Sequence, residues 1–300
     1  MLKILVTGSN GLLGQKITER FLAKRDFVLV ATSRGGNRFP VKDGYIYLPM
    51  DITDEAEVRQ VIGSIKPDVV INTAAMANPD ACESDRLGCD LVNIHAVQYL
   101  ADSCKELDIH LVHLSTDFVF DGENGPYDEN AAPGPLSYYG KSKLAGEQAL
   151  EKSGCKWTII RTILVYGVTG NLSRSNVVLW VKSSLEKQIP IRVVDDQWRM
   201  PTLAEDLAEA CILAAMKRAF GLYHVSGNEM MSVLELARMV ANFWKLDTSL
   251  ISPVASASLE QPAKRPARTG FVLDKAVKIL SYRPRSFVDG LAIVDGKLNC

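Results

Sequence analysis

Tyr139 and Lys143 are the residues best suited to acid–base chemistry in this chain of 300 residues. On a helix, a spacing of four places both side chains on one face, where the ammonium can stabilise a phenolate and lower the pKa of the tyrosine. Such a tyrosine can give its proton to an oxygen that becomes negative when hydride reaches a carbonyl carbon. The pair therefore predicts reduction of a ketone, although a surface Tyr–Lys pair without function has the same spacing.

The segment from Ser115 to Asp117 follows an apolar run and precedes this pair along the chain. A hydroxyl such as that of Thr116, at the carboxyl end of a strand, can hold the reacting oxygen by a hydrogen bond. Asp117 has two interpretations that remain open. Its carboxylate orients neighbouring backbone or substrate, or it caps the turn after the strand.

Three glycines spaced three apart, Gly8, Gly11 and Gly14, follow the first apolar run and open a predicted helix. Glycine allows a tight turn and a close approach of the backbone to a pyrophosphate. The helix N-terminus supplies free amides and the positive end of a dipole. The first strand–helix turn is therefore predicted to bind a dinucleotide.

The second predicted strand ends in Ser33 and Arg34, where an enzyme that prefers NAD would place an acid for the ribose 2′-hydroxyl. Arg34, helped by Arg38, can instead pair with a 2′-phosphate, because guanidinium presents a charged fork to phosphate oxygens. We predict that NADP(H) is preferred and that NAD(H) is a weaker alternative. A solvated loop charge is the other interpretation of Arg34.

The elements that must position these residues alternate between apolar strands and amphipathic helices, which predicts an α/β fold with a Rossmann-like, doubly wound parallel sheet. We expect a dinucleotide-binding domain over residues 1–166. Residues 167–300 are expected to form mostly a smaller, mixed α/β lobe for substrate, with parts of 191–224 returning to the first domain. The predicted strands are 2–6, 27–32, 45–48, 69–72, 110–114, 158–161, 191–194 and 222–225, and the predicted helices are 12–25, 54–65, 84–107, 137–152, 173–187, 203–217, 232–244 and 273–280.

Two helix starts carry the spacing of a capping box, Thr202 with Glu205 and Ser232 with Glu235. The three prolines between 253 and 266 predict a surface loop rather than a linker between independent domains. These features are expected to be structural.

Composition excludes several classes of protein. With 47% apolar and 23% charged residues the chain is globular, and a net charge of −1 provides no overall field for nucleic acid or an anionic membrane. No apolar run reaches the ~18 residues of a membrane span, and the start lacks a signal-peptide core, so a cytoplasmic location is expected. The six cysteines are expected to be reduced core thiols, and no cluster of His, Asp or Glu predicts a metal site.

The order of these motifs resembles that of the extended short-chain dehydrogenase/reductases, and more closely that of dTDP-4-dehydrorhamnose reductases. The likeness extends over most of the chain and is carried by Ser115-Thr-Asp-Phe-Val-Phe-Asp-Gly122, Tyr139-Gly-Lys-Ser-Lys-Leu-Ala-Gly-Glu147, Arg161-Thr162 with Val165-Tyr-Gly167, Asp196-Gln197 with Pro201-Thr202, and Arg265-Pro266 with Leu273-Asp274.

This resemblance implies a reductase of a nucleotide-linked 4-keto-6-deoxysugar that gives dTDP-L-rhamnose. It implies a catalytic group of Thr116, Tyr139 and Lys143, with Asp117 as a further member, and a second role of Lys143 in binding the nicotinamide ribose. The cofactor residues that it implies, besides Tyr139 and Lys143, are Gly8, Asn10, Gly11, Leu12, Gly14, Asp51, Ile52, Ala74 and Ala75. A homodimer is expected only by analogy with related reductases.

The sequence departs from the family pattern at two places that bear on the substrate. Leu164 stands where the reductases have a tryptophan beside the sugar, and it retains only apolar contact. Arg199 replaces a glycine before the Pro-Thr pair and is expected either to contact a diphosphate or to pack on Trp198. Arg265 is a candidate for the same diphosphate, as are Arg174 and Arg268.

Two further functions remain open. A nucleotide-sugar epimerase or dehydratase on this scaffold would retain NAD through each turnover. A cofactor-binding regulatory subunit, similar to that of methionine adenosyltransferase, would bind the cofactor without turnover. The intact set of Thr116, Tyr139 and Lys143 favours the reductase.

Overall fold

A seven-stranded parallel sheet forms the centre of the molecule, a computed structural model that describes residues 1–23, 27–170 and 176–299. All its pairings are parallel, so the predicted doubly wound α/β fold is confirmed. In spatial order the strands are β11 (Gly221–Val225), β6 (Lys156–Thr162), β5 (His110–Thr116), β4 (Val69–Asn72), β1 (Leu2–Thr7), β2 (Phe27–Ser33) and β3 (Ile46–Pro49).

Helices cover both faces of this sheet, because successive strand residues point to opposite sides. In β1, Ile4 and Val6 face a core shared with α1 (Leu12–Leu22) and α8 (Ala204–Lys217). Leu5 faces the other core, which α2 (Glu55–Ile65) and α5 (Ala96–Glu106) close. Burial on both faces explains why these strands are continuous apolar runs.

The strand order reverses between β1 and β4, which are neighbours although the chain passes through β2 and β3 between them. Such a switch point leaves a crevice at the carboxyl ends of the two strands, where doubly wound folds bind their ligands. The glycine turn follows β1, and Ala74 and Ala75 follow β4.

The single helix predicted over 84–107 is wrong in detail. The chain forms α3 (Pro79–Ser84), α4 (Arg86–Asp90), a π-helical turn (Leu91–His95) and α5. The π-helical turn carries Asn93, whose amide accepts from the Met76 N–H at 3.0 Å and donates to the Met76 carbonyl at 3.1 Å. Side-chain bonding of this kind ties the loop after β4 to the helix, and π-bulges of this sort often occur at functional sites.

A second hydrophobic core lies beyond the main sheet and combines helices with short strands. Pairing is parallel between β7 (Val165–Tyr166) and β10 (Thr202–Leu203) and between β8 (Ile191–Val194) and β13 (Ile251–Val254), and antiparallel between β9 (Trp198–Arg199) and β12 (Met231–Ser232). The proposed division of the chain at residue 166 remains a prediction. The helices of this core include α7 (Val177–Glu186), α9 (Val233–Phe243) and α10 (Phe287–Leu298).

One of the two predicted capping boxes in this region is confirmed, and other details differ from expectation. Ser232 and Glu235 form the predicted capping box at the start of α9. The box predicted at Thr202 is wrong, because the Thr202 hydroxyl donates to the Ile163 carbonyl at 2.6 Å and α8 begins after Leu203. Sequence analysis also missed α10 and β13, and part of the predicted loop 253–266 lines a cavity.

The cysteines form no disulfide among the described residues. Five cysteines, Cys82, Cys89, Cys104, Cys155 and Cys211, are buried free thiols, and Cys300 lies outside the described residues. Within residues 1–23, 27–170 and 176–299, no helix has the length and apolar character needed to cross a bilayer. The same ranges contain no group of three or more His, Cys, Asp or Glu that is placed to hold a metal ion.

Candidate active site

A cleft of about 490 Å³ opens at the switch point between β1 and β4. The glycine turn, the end of β2 and the loop after β4 form its walls. Among the predicted cofactor residues, eight line it: Gly8, Asn10, Gly11, Arg34, Asp51, Ile52, Ala74 and Ala75.

The glycine turn fits a dinucleotide because its backbone is packed too closely for side chains. A Cβ on Gly8, which has a φ of +65°, would lie 2.7 Å from the Ala74 nitrogen. A Cβ on Gly14 would lie 2.4 Å from the Gly8 carbonyl oxygen, so this glycine lets α1 approach the turn. Gly11 is the N-cap of α1, Leu12 begins the helix, and the first turn carries no acid that would repel a pyrophosphate.

Asn10 braces the loop after β2. Its amide donates to the Ser33 hydroxyl at 2.8 Å and the Gly36 carbonyl at 2.9 Å, and it accepts from the Arg38 N–H at 2.7 Å. Arg34 is exposed at the mouth of the cleft, with its guanidinium 4.0 Å from Asp51. The loop is thus fixed while the Arg34 side chain remains accessible to a ligand.

Thr116 and Tyr139 both line a second cavity, of about 610 Å³. Thr116 ends β5 and Tyr139 lies in the first turn of α6 (Tyr138–Lys152), which Ser137 caps through the Gly140 N–H. Phe118 packs edge-on against the Tyr139 ring at 5.6 Å. The predicted lowering of the Tyr139 pKa is wrong for this structure, because burial raises that pKa, the hydrogen bond with Thr116 lowers it and the Asp117 charge raises it again, with a net rise.

Asp117 is buried and holds the Thr116 hydroxyl. One carboxylate oxygen accepts from Thr116 at 3.1 Å, and the other accepts from Thr269. The Arg199 guanidinium lies 3.8 Å away. Burial raises the pKa of Asp117 against the lowering by Arg199 and by the two hydroxyls. The interpretation of Asp117 as the cap of the turn after β5 is wrong, because the Thr116 hydroxyl caps that turn by accepting from the Phe118 N–H; a role of Asp117 toward substrate stays a prediction.

Lys143 is buried behind Tyr139, one turn further along α6. Its ammonium nitrogen donates to the Leu114 carbonyl at 2.7 Å and lies 3.2 Å from Nε2 of His113. Burial lowers the pKa of Lys143 to about 8, opposed by the charge of Glu147.

A buried ion pair fixes α6 against the sheet. Glu147, two turns after Tyr139, accepts two hydrogen bonds from Arg161 of β6, at 2.9 and 2.6 Å. Both side chains are almost completely buried, so the pair is held in one geometry. This bidentate contact sets the position of the helix that carries Tyr139 and Lys143.

Residues at the edge of the main sheet and residues of the second hydrophobic core line the second cavity. Thr116, Phe118 and Tyr139 form one side, and residues from α7 and β8 form the other. Leu164 lines it with a left-handed backbone, at a φ of 39°. Trp180, which sequence analysis missed, also lines it from α7 and is 40% exposed.

The predicted substrate arginines differ in their contacts. Arg199 lines the cavity, but its guanidinium donates hydrogen bonds to the carbonyls of Trp198 and Pro266, each at 2.7 Å. It lies over the ring of Phe118 at 6.0 Å, and not over that of Trp198 as one expectation had it. Arg265 lines the cavity and pairs with Asp80 of α3 at 2.6 Å.

Arg268 is exposed and lies outside the set of residues that line the cavity. Arg174 falls outside the described residues. Spacing along the sequence gave no signal for the Arg265–Asp80 pair, because the two residues are far apart in the chain. No pattern marked Trp180 either, since an aromatic residue on an apolar helix is read as core.

Fold and site together define a nicotinamide-dependent oxidoreductase of the short-chain dehydrogenase/reductase class. The family model described as the RmlD substrate binding domain matches residues 2–297, and the chain belongs to this family.

Its relatives include a sugar-nucleotide reductase, a spore coat polysaccharide biosynthesis protein and a subunit of a methionine adenosyltransferase. The dTDP-4-keto-6-deoxy-D-glucose reductase of Streptomyces niveus is 37% identical over 88% of this chain and 86% of the relative. The spore coat polysaccharide biosynthesis protein SpsK of Bacillus subtilis is 32% identical over 97% of this chain and 96% of the relative. Methionine adenosyltransferase 2 subunit beta of Xenopus laevis is 32% identical over 84% of this chain and 75% of the relative.

Solved structures agree with this assignment. The dTDP-4-dehydrorhamnose reductase of Clostridium acetobutylicum aligns with a TM-score of 0.85 at 26% identity and covers 100% of both chains. That of Bacillus anthracis, in complex with NADP, aligns at 0.84 with 27% identity, over 99% of this chain and 100% of the other. UDP-glucose 4-epimerase of Thermus thermophilus, in complex with NAD, aligns at 0.87 with 25% identity over 99% of both chains. The resemblance to extended short-chain reductases and the class of NAD(P)-dependent reductase are thereby confirmed.

Proposed function

We propose that this chain is an NADPH-preferring reductase of a nucleotide-linked 4-keto-6-deoxysugar, with dTDP-4-dehydrorhamnose as substrate and dTDP-L-rhamnose as product. The observation that carries the proposal is that Thr116 and Tyr139 line one cavity next to the dinucleotide cleft. The loop from Ala74 to Pro79 borders both spaces, contributing Ala74 to the cleft and Pro79 to the cavity.

Held by the residues of the cleft, a nicotinamide would supply hydride for the carbonyl carbon of the sugar. As the carbonyl oxygen becomes negative, Tyr139 gives it the phenolic proton, and Thr116 stabilises it by a hydrogen bond after its hydroxyl proton turns from Asp117 to that oxygen. The raised pKa of Tyr139 keeps the phenol protonated before reaction, as a proton donor requires. Lys143 stabilises the phenolate that remains, and it also binds the nicotinamide ribose.

Preference for NADP(H) over NAD(H) rests on Arg34. The loop that carries it is braced by Asn10 while its side chain is 84% exposed, so the guanidinium is free to pair with a 2′-phosphate. Asp51 is the nearest acid and lies 4.0 Å from that guanidinium. NADP in one structural neighbour and NAD in another leave NAD(H) as the alternative.

A nucleotide-linked sugar suits the second cavity by size and by lining. Its volume of about 610 Å³ accommodates a ligand larger than a simple ketone. Leu164 offers apolar contact, and the exposed face of Trp180 supplies the aromatic surface that Leu164 lacks. We also infer a homodimer and a cytoplasmic location, by analogy with related reductases.

The test follows reduced-nicotinamide absorbance after mixing the purified protein with NADPH or NADH and dTDP-4-keto-6-deoxy-L-lyxo-hexose, made in situ from its precursor. Oxidation that depends on the sugar and is faster with NADPH supports the proposal. No oxidation of a bound, exchangeable NADPH with this or other keto-sugars refutes it. A copurifying NAD that never exchanges indicates an epimerase or dehydratase instead.

A regulatory subunit is the second candidate, and the relative from Xenopus laevis favours keeping it. That function predicts NADPH binding without turnover. It also predicts that the protein copurifies with a larger enzyme. The same absorbance assay and a pull-down from the source cells distinguish it from the reductase.

A further inference from the structure

A chain of buried polar side chains runs from Lys143 away from the substrate cavity into the sheet. His113 lies 3.2 Å from the Lys143 ammonium nitrogen through Nε2, and its Nδ1 lies 3.0 Å from the amide nitrogen of Asn72. The amide oxygen of Asn72 accepts from the Thr7 hydroxyl at 2.6 Å. His113, Asn72 and Thr7 are completely buried, so water does not relieve a mismatch among them.

The direction of each hydrogen bond in this chain is fixed at one end. The backbone N–H of Ala74 only donates, and it points to the Asn72 oxygen at 3.2 Å. Because that oxygen also accepts from Thr7, the Asn72 amide nitrogen faces His113 and donates to Nδ1. A neutral histidine that accepts at Nδ1 carries its proton on Nε2. Burial and the Lys143 charge lower the pKa of His113 well below its usual value, so the ring is neutral.

The proton on Nε2 therefore points at Lys143. A neutral amine accepts this hydrogen bond while it donates to the Leu114 carbonyl, and all contacts are satisfied. An ammonium only donates, so protonating Lys143 breaks one contact. Either Nε2–H faces the ammonium, or the Asn72 amide turns over and the Ala74 N–H loses its acceptor.

We propose that His113 and Asn72 are positioning residues that control whether Lys143 is an amine or an ammonium, and so the pH at which the reductase loses its charged lysine. This inference rests on the role proposed for Lys143. It assigns a function to two residues that touch neither the substrate cavity nor the dinucleotide cleft.

The other groups around Lys143 are distinct in kind. Glu147 on α6 favours the ammonium but is already paired with Arg161 of β6. The thiols of Cys82 on α3 and Cys89 on α4 favour it only when ionised. Tyr139 shares α6 with Lys143, and Asp117 on β5's following turn acts on Tyr139. His113 alone of these changes from donor to acceptor without a change of charge.

The test replaces Asn72 with aspartate (Asn72→Asp), which keeps the shape of the side chain but only accepts hydrogen bonds. The carboxylate still accepts from Ala74 and Thr7, and it now requires a proton on Nδ1 of His113. Nε2 then accepts from the Lys143 ammonium. The pKa of Lys143 should rise by about one unit or more, because a hydrogen bond to a charged group is worth at least that much.

Two NMR measurements on the intact protein, without substrate, report the tautomer of His113 and the titration of Lys143. Nitrogen NMR of ¹⁵N-histidine protein, recorded above the titration of Lys143, reports which ring nitrogen of His113 is protonated. His113→Gln assigns the signal of His113. The buried His110, whose Nε2 lies 2.8 Å from the Thr158 hydroxyl, is the internal control. Carbon NMR of lysine labelled at Cε, assigned with Lys143→Met, reports the titration of Lys143.

The expected result is an Nε2–H tautomer and a Lys143 titration near pH 8 in the wild type, with an Nδ1–H tautomer and a higher titration in Asn72→Asp. The alkaline fall of kcat should shift upward with it. An Nδ1–H tautomer in the wild type overturns the proposal even if the variant does not fold. An unchanged Lys143 titration in a folded variant also overturns it. If the expected His113 tautomers are found in a protein that reduces no keto-sugar, the proposed function is refuted and the proposed control of Lys143 by His113 and Asn72 stands.

Discussion

Removing one oxygen atom, in Tyr139→Phe, should stop ketone reduction and spare nearly everything else. General acid catalysis contributes about 10²- to 10⁴-fold, so kcat should fall by that factor, or ~3–5 kcal/mol of barrier. The ring keeps its edge-on contact with Phe118 at 5.6 Å. The variant loses the phenolic hydroxyl and its interaction with Thr116, at a cost of at most ~1 kcal/mol in stability.

The assay measures sugar-dependent oxidation of NADPH, with cofactor binding followed by nicotinamide fluorescence and unfolding by circular dichroism. Tyr138→Phe is the matched control on the same helix. Its hydroxyl donates to Asp90 at 2.7 Å, outside the residues that line the substrate cavity, so kcat should stay within about twofold of the wild type. If Tyr139→Phe reduces the sugar at more than a tenth of the wild-type rate, or if it no longer binds NADPH, the phenol is not the proton donor.

Three other substitutions test separate parts of the site. Arg34→Ala should raise KM for NADPH about tenfold and leave KM for NADH unchanged, since only NADPH carries the 2′-phosphate; equal effects on both would contradict the role of Arg34. Trp180→Ala should raise KM for the sugar about tenfold with little change in kcat, and Trp180→Phe should restore most of the affinity; equal KM values in all three proteins would exclude the stacking role. Glu147→Gln should lower the free energy of unfolding by ~3–5 kcal/mol in urea titrations, because it leaves the buried Arg161 guanidinium without its charge partner, and adding Arg161→Met should recover part of that loss; a neutral effect would show that the pair does not fix α6.

The parallel sheet was predictable because its strands are buried on both faces and so read as continuous apolar runs, as in Val69–Asn72. The glycine turn was predictable for a related reason. Gly8 and Gly14 occupy positions where a Cβ would meet backbone, and a fixed spacing records that constraint in the sequence. Thr116 and Tyr139 are brought together because both sit at the ends of elements whose order the sequence defines.

Other features depend on contacts between distant residues and left no local signal. Thr202 and Ser232 begin similar capping-box motifs. The Thr202 hydroxyl, however, donates to a carbonyl on a neighbouring segment, so α8 has no side-chain cap. Arg199 was expected either to contact a diphosphate or to pack on Trp198, and in the structure its guanidinium donates to the carbonyls of Trp198 and Pro266. The helix predicted over 84–107 is interrupted at Asp85 and forms a π-helical turn around Asn93. Helical periodicity does not record an amide that binds the backbone of another loop.

The predicted pKa of Tyr139 was wrong for a similar reason. Spacing on a helix gives the direction of two side chains but not how deeply they are buried. Here burial dominates the pKa of the phenol, and the Lys143 nitrogen contacts Nε2 of His113 and the Leu114 carbonyl.

Because the bidentate contact with Arg161 fixes Glu147, the number of residues between Glu147 and Tyr139 determines where the phenol lies. Eight positions separate Tyr139 from Glu147, and each residue of an α-helix turns the chain by about 100° and advances it about 1.5 Å. One residue inserted between them would keep the anchor and swing the phenol off Thr116, whereas an insertion in the exposed loop near Glu123 would move neither. The length of this helical segment is therefore under tighter constraint than most of its side chains, and natural variation in chain length should fall outside it.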